Sequence, residues 1–591
     1  MRGTTMTSAR VDAMAPQSVI CVIDHLHRDL TIADAARHGR FTHAGVELDL
    51  GRRPDWINGG LAGDVEWRIE WVKFYEGLDL AHAYSITGDV DHLAAWEDLV
   101  EAFCDQVGVG ADVADVSARR LQNWLYAWRR FADAPHFTGL RPGLADRLTQ
   151  RILRDADHLR SHLTAQRNHR TLELYALLIV GLSLPDDLDT LARFALDQLG
   201  ENLLTDVWSD GVHRECSTDY HCIALRSYLG GIANARAAGL ELPDGYLERV
   251  SLALDFALHI QRPDGLTPSF SDGDTADFRG LLALGAELLD RDDLRWAATG
   301  GNAGVPPATV DATFPVGGYL TSRSGWGAGS AAYDDERFML MDVGPIGDGG
   351  HGHYDQLSME LYARGHSLIV DPGRFTYADT PWRHWFKGSK AHNTVTIDGL
   401  DQTPYRHGST KKATSHARLI RRVSRQDLDA IEAEVTSPQH EALHTRRVLF
   451  LDRDYWLVHD HVRGDTDHLY EARWHLPAEA DGKVTVVRNT NQTTVSTPAG
   501  SLLIPARLKV EIEPGWVSPG YGLKQPAPIV VLRARGTEAD IVTVLSPGKA
   551  AVTIDDNTDD GSLHSQVTRG KTTDLIQWAA HTDVAWERWH R

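Results

Sequence analysis

GGYLTSRSGWGAGSAAYDDERFMLMDVGPIGDGGHGHYDQLSMELYARGHSLIVD (317–371) is where the chain changes character. Apolar residues come here in short runs, GGYLTSRSGW (317–326), RFMLMDVG (337–344) and LSMELYARGHSLIVD (357–371), separated by Gly- and Asp-rich turns. Runs of four to eight residues with regular turn signals read as strands. The pattern continues in HNTVTIDG (392–399), RRVLFLDRDYWLVHDHV (446–462), KVTVVRN (483–489), IVVLRARG (529–536) and DIVTVLSP (540–547). Together these predict a large antiparallel β-sandwich over 311–591.

Upstream, apolar residues recur at helical spacing. WRIEWVKFYEGLDLAHAYSITGD (67–89), HLAAWEDLVEAFCDQV (92–107), RRLQNWLYAWRRF (119–131), LELYALLIVGLSL (172–184) and YLERVSLALDFALHIQ (246–261) are the clearest runs. Thr-Gly-Asp at 87–89 and Pro-Asp-Gly at 263–265 are helix stops. About ten to twelve helices in hairpin pairs are expected over 20–300, which allows a bundle, a solenoid or an α/α toroid. The expected division is a flexible start at 1–20, a helical domain over 21–310 and a β domain over 311–591, with a cleft between the two as the default site.

The chain has 591 residues, 42% hydrophobic and 24% charged, as soluble globular proteins do. No apolar run is long enough to span a membrane. The net charge of −22 argues against a nucleic-acid or membrane-surface partner, because phosphate binding needs a cationic face. It leaves room for a small basic site. Four cysteines without CxxC spacing read as free thiols in a reducing compartment. The first twenty residues lack the apolar core of a signal peptide, so a cytoplasmic location is expected.

Three clusters can carry chemistry. In QRNHRTLELYALL (166–178), Asn168, His169 and Arg170 open an apolar helix, whose N-terminus favours a nearby carboxylate. In DGVHRECSTDYHCIALRSYL (210–229), His213, Arg214, Glu215, Asp219, Tyr220 and His221 precede or open another helix. Arg170, Arg214 and Glu215 are candidate substrate-binding groups. In GPIGDGGHGHYDQLSMELYARGHSLIVDPGRFTY (344–377), a Gly-rich loop carries His351 and His353. Two residues apart, these point the same way in extended chain. With Asp371 and the strand-opening His392, His353 makes a three-ligand Zn²⁺ site. No organic cofactor is expected.

RNHRTLELYALL, ECSTDYH, GHGHYDQLSMELYARGHSLIVDPG and AHNTVTIDG resemble the heparinase II/III type of polysaccharide lyase, which includes heparinases and oligoalginate lyases. More loosely, the resemblance takes in DVEWRIEWVKFYEGLDLAHAYSITGD (64–89), RRLQNWLYAW (119–128), RPDGLTPSFSDGD (262–274) and YEARWHLP (470–477). It implies an N-terminal (α/α) toroid followed by an antiparallel β-sandwich. It implies β-elimination on an acidic polysaccharide or oligosaccharide, glycosaminoglycan-, alginate- or exopolysaccharide-like, leaving a 4,5-unsaturated uronate.

The resemblance also assigns roles. Asn168 and His169 would neutralise the uronate carboxylate, His169 and Tyr220 would take part in catalysis, and His351 would reach the same site from the second domain. His353, Asp371 and His392 would hold a structural zinc. Tyr377 is the nearest candidate for a second tyrosine beyond the DPG turn. Some relatives carry an arginine three residues beyond the histidine matched by His169, where this chain has Leu172. A homodimer is allowed. Two rivals stand beside this reading. A glycoside hydrolase would need paired carboxylates such as Glu215 with Asp219, or Asp272 with Asp274. A non-catalytic carbohydrate-binding protein would need only aromatic platforms.

Overall fold

The computed structural model describes residues 15–23, 28–184, 189–328, 332–408, 414–548, 551–579 and 582–590. The chain forms two compact units. One comprises Met1–Val207 with Ile223–Ser251, the other Trp208–Cys222 with Leu252–Arg591. The composition change near 310 therefore falls inside the second unit.

The first unit is helical. Asp64 and Asp89 accept hydrogen bonds from N–H groups of the turns they cap, and Gly88 takes the left-handed conformation that ends the helix Glu76–Thr87. Helices Glu76–Thr87, Ala114–Asp133 and Arg167–Ser183 pack on one another in sequence. Each also packs on the helix that follows it, Val90–Gln106, Leu144–Ser161 and Asp189–Asp206. This is the (α/α) pattern of alternating inner and outer helices. Inner position explains why Arg167–Ser183 is apolar all round: Leu174–Gly181 is buried throughout. The Trp clusters are core, with Trp56 and Trp71 stacked at 4.0 Å. The expected flexible start is corrected in part. Gln17 N–H donates to the Ser183 carbonyl at 2.6 Å, and the Asn234 side chain bonds both backbone groups of Ile20. These bonds tie residues 15–23 down; residues 1–14 lie outside the described ones.

Among its described residues, the second unit is built mainly of three stacked antiparallel sheets, with the short hairpin Leu266–Thr267/Ala276–Asp277 and the helices Arg279–Leu289, Asp292–Ala298 and Pro381–Lys387 besides. Five strands run in sequence order from Asp311–Phe314 to His366–Ile369. The ten-stranded sheet centres on two long strands, Tyr455–His475 and Leu523–Pro547, and a four-stranded sheet closes the chain over Val552–His590. Side-chain alternation explains the stacking. In the central sheet Val448, Phe450, Trp456 and Val458 face Met339, Met341, Met359 and Leu361 of the five-stranded sheet. Leu449, Leu451, Tyr455 and Leu457 face Ile554, Val567 and Ile576 of the last sheet. The reverse face of the five-stranded sheet, Phe338 and Leu340, packs on Val212, Cys216, Phe256 and Ile260. That contact places 208–222 in the second unit. Among the described residues, no helix is long and apolar enough to cross a membrane.

Candidate active site and metal centre

Tyr220 stands in the first turn of the helix Thr218–Ala237. Ser217 accepts from the Tyr220 N–H at 3.4 Å and donates to the Asp272 carbonyl at 3.1 Å; the Thr218 hydroxyl donates to the Pro268 carbonyl at 2.5 Å. These bonds fix the turn to the segment 268–272. The Tyr220 ring then stacks on His351, centroids 3.9 Å apart, and its hydroxyl meets the Tyr377 hydroxyl at 2.8 Å. Burial pushes the Tyr220 phenol well above its usual range; Arg374 opposes this without reversing it. Arg374 also donates to the Tyr377 hydroxyl and is paired with Asp274 at 2.6 Å.

His351 is carried by the Gly-rich loop. A Cβ at Gly352 would lie 1.6 Å from the Ile346 carbonyl oxygen, so the loop closes on itself only with glycine there. Beneath the loop sits Asp272, which is fully buried. Its carboxylate meets His351 Nδ1 at 3.0 Å, His353 Nε2 at 2.9 Å and Arg383 Nη2 at 2.8 Å. Burial alone would raise its pKa, but the Arg383 charge and the two imidazoles hold it well below the carboxylate range. Its charge holds both rings in orientation. Glu215 is buried with an oxygen 3.8 Å from His351 Nε2.

Three buried donors converge next to this network. His353 Nδ1, Asp355 Oδ2 and His392 Nε2 have no hydrogen-bond partner, and one ligand atom from each of the three residues lies within 4.8 Å of the others. The opposite nitrogens are held by carboxylates, His353 by Asp272 and His392 Nδ1 by Asp371 at 2.8 Å. Two imidazoles and a carboxylate, each imidazole backed by a second carboxylate, is a donor set that suits a divalent metal such as zinc. Asp371, the carboxylate expected in this set, lies outside the group, and Asp355 stands inside it. Both Asp371 oxygens are already engaged, one by His392 and one by the Gly373 N–H. Burial holds the His353 imidazole down to about 3, keeping it neutral as a ligand must be.

The other expected site residues divide. Arg214 spends its guanidinium on Asp348 of the Gly-rich loop, so it clamps that loop rather than standing free for substrate. Arg170 donates to the Thr164 carbonyl at 2.9 Å and to Gln198 at 2.6 Å, a structural role inside its own unit. Asn168 is buried and His169 exposed in the first turn of Arg167–Ser183, with Gln166 at the cap. Arg167, just before them, has φ 78°, a strained value for a side-chain-bearing residue. Its N–H is held by Asp206 at 2.6 Å. These residues belong to the first unit, whereas Tyr220, Tyr377, His351 and the metal donors belong to the second.

Sequence reading missed Asp272 as the hub, Arg374 and Arg383 as its cationic surroundings, and Asp355 as a donor. Alternation along HGHYD, which puts Asp355 two residues from His353, would have found the last. Asp272 is also spent as a hydrolase carboxylate, because its oxygens are shared among two imidazoles and a guanidinium.

Comparison with known proteins agrees with this architecture. A heparinase II/III N-terminus model matches residues 25–288, and a heparinase II/III-like, C-terminal model matches residues 306–560. The heparin-sulfate lyase of Pedobacter heparinus is 26% identical over 549 residues, covering 87% of this chain and 79% of that protein. That of Bacteroides stercoris is 23% identical, covering 87% of this chain and 81% of that protein. Among solved structures, the Pedobacter heparinus heparan sulfate lyase has a TM-score of 0.66 at 22% identity, covering 97% of this chain and 93% of that one. A heparinase III structure has a TM-score of 0.78 at 15% identity, covering 99% and 95%. At such identities the structural likeness concerns the fold.

Proposed function

The chain belongs to the heparinase II/III family, and from that premise we propose that it cleaves a uronate-containing polysaccharide by β-elimination. The reaction removes the proton at C5 of a 4-linked uronate and expels the O4 substituent. It therefore needs a base, an acid, and a means of stabilising charge that builds on the carboxylate.

One observation carries the reading. The Tyr220 phenol is stacked on one proton-transfer group, His351, and hydrogen-bonded to another, Tyr377. Because burial raises the Tyr220 pKa, its hydroxyl keeps its proton at neutral pH and serves as the acid that protonates O4. Asp272 engages His351 Nδ1, which leaves Nε2 as the nitrogen that takes the C5 proton. The family resemblance gives the third task, neutralising the carboxylate, to Asn168 and His169. Donors aimed at developing charge are worth on the order of 10²–10³ in rate each.

A divalent cation, when bound, would be held by His353, Asp355 and His392 and would cross-link the loop to the strand that starts at Val395. His353 shares Asp272 with His351, so a fixed His353 keeps the His351 ring in place. The substrate class follows from the relatives' names and from charge: a heparin/heparan-type glycosaminoglycan of low sulfation. The net charge is −22, and Arg214, Arg374 and Arg383 are each paired with an aspartate, which disfavours a highly sulfated chain.

Heparosan, heparan sulfate, hyaluronan and alginate should be incubated with the protein while ultraviolet absorbance of the 4,5-unsaturated uronate is followed. The expected result is a rise with heparosan and with low-sulfated heparan sulfate. New reducing ends without the double bond would mean hydrolysis and would overturn the proposal.

A further inference from the structure

Beyond Tyr377, the second unit carries an aromatic surface that the proton-transfer groups do not use. Tyr521 stacks on Tyr377 with centroids 5.5 Å apart and planes 29° apart. It sits at the tip of the hairpin formed by Lys509–Gly520 and Leu523–Pro547. Two backbone bonds tie that tip to the loop bearing Arg374 and Tyr377: Gly522 N–H to the Phe375 carbonyl and Ser518 N–H to the Pro372 carbonyl, both 2.8 Å. Phe375 itself has φ 56°, a conformation that L residues seldom adopt. The catalytic loop and the hairpin therefore present one continuous face.

Next to the tip, Lys524 is enclosed by aromatic rings. Its ammonium lies 4.5 Å from the Trp382 centroid, 4.7 Å from Trp516 and 5.0 Å from Phe375. Trp382 and Trp516 cross at 83° with centroids 5.5 Å apart, and Trp382 keeps 36% of its surface exposed. No carboxylate pairs with Lys524 among the described residues, whereas Arg374 and Arg383 are neutralised by Asp274 and Asp272. A cation held over ring faces is already ordered, so less freedom is lost when an anion arrives. The exposed Trp382 indole beside it, with the half-buried Trp516, suits the apolar face of a pyranose ring.

We propose that Tyr521, Trp382, Trp516 and Lys524 form a sugar subsite beside the Tyr220–Tyr377 pair, in which the aromatic faces stack on a pyranose and Lys524 binds that sugar's anionic group. One lysine for one anion selects a chain with about a single charge per sugar at this position. A groove reading a highly sulfated chain would present several unpaired cations. The subsite rests on the lyase reading only for the identity of the sugar chain.

The test uses the full-length protein carrying Tyr220→Phe, so that the probe is held uncleaved. A heparosan tetrasaccharide and its N-sulfated counterpart are titrated while tryptophan emission and heat are recorded. The expected result is an emission change on binding. Lys524→Gln should weaken heparosan about tenfold, Trp382→Ala should weaken it by a similar factor, and Lys524→Arg should restore most of the loss. In the otherwise wild-type enzyme, Lys524→Gln should raise KM by the same factor with kcat within about twofold, because binding lost equally from ground and transition states moves KM alone.

An equal loss for both probes identifies the carboxylate as the anchor and supports the subsite; a loss confined to the N-sulfated probe, with heparosan unaffected, overturns it. Unchanged affinity for both probes in Lys524→Gln and Trp382→Ala, at unchanged Tm, overturns it. If the wild type gives no unsaturated product while the two variants still lose binding, the lyase reading fails and the subsite stands. If the product forms and both variants bind as the parent does, the subsite alone fails.

Discussion

Asp272 decides more of this site than any residue the sequence brings forward. Its carboxylate orients His351, backs the metal donor His353 and neutralises Arg383 at once. From sequence it is one aspartate in a DGD turn, and nothing in that spacing marks three long-range partners. The same limit applies to Arg214 and Arg170, which look like substrate groups until Asp348 and Gln198 are found opposite them. Tyr220 and His351, by contrast, are singled out by their motifs, and the structure stacks their rings 3.9 Å apart. Buried histidines add a prediction at this scale. His221 donates from Nε2 to the Ala253 carbonyl at 2.9 Å and accepts from the His213 N–H at 3.3 Å, which requires the neutral ring. Burial, with a smaller contribution from His213, lowers its pKa to about 3. The unfolded chain binds a proton near 6.5 that the folded one refuses, so the contribution is complete above that pH. It is lost as pH falls from 6.5 towards 3, by about 1.4 kcal/mol per pH unit. Thermal scans should show Tm falling over that window, and less steeply in His221→Asn. Parallel curves for the two proteins would contradict the assignment.

Elements were legible where local chemistry sets them. Gly88 ends one helix, as the Thr-Gly-Asp run predicts, and Asp89 goes on to cap the next. Short strands around 317–371 were legible as apolar runs bounded by Gly- and Asp-rich turns, since both faces of this sheet are buried and the runs are nearly continuous. The long strands Tyr455–His475 and Leu523–Pro547 were seen only as fragments. Each has a solvent-facing polar middle, around 463–467 in one and 533–539 in the other, and that stretch divides the apolar pattern in two. The closing four-stranded sheet was not singled out at all. The Gly-rich loop is the element on which the site depends most directly. Gly352→Ala sets a Cβ against the Ile346 carbonyl, and the loop must open to relieve it. Displacing His351 by about an ångström should cost on the order of 10² in kcat. Steady-state rates of Gly352→Ala near those of the wild type would show that the loop does not position the histidine.

Taken whole, the molecule is a helical (α/α) unit and a unit of three stacked antiparallel sheets. The order of the two was legible, because helix and strand periodicities occupy different parts of the chain. Their limits were not. Residues 208–222 join the second unit through packing on Phe338 and Leu340, a long-range contact that no local pattern encodes. The proposed metal centre belongs to this scale, since its candidate donors come from the loop at 353–355 and the distant His392. Elemental analysis of the purified protein should find about one divalent ion per chain. Chelation should lower Tm by several degrees, since a ligand bound only by the folded state stabilises it by mass action. His392→Ala should lack both the metal and the response to chelator; an unchanged metal content in that variant would remove His392 from the ligand set.

The most direct test of the central claim compares the wild type with Tyr220→Phe on heparosan, following ultraviolet absorbance of the unsaturated uronate. A half-buried, protonated Tyr220 that donates to O4 predicts steady product from the wild type. It predicts a loss of about 10²–10⁴ in rate in the variant, at an unchanged KM. Wild-type-like rates in Tyr220→Phe, with the double bond still formed, would contradict it.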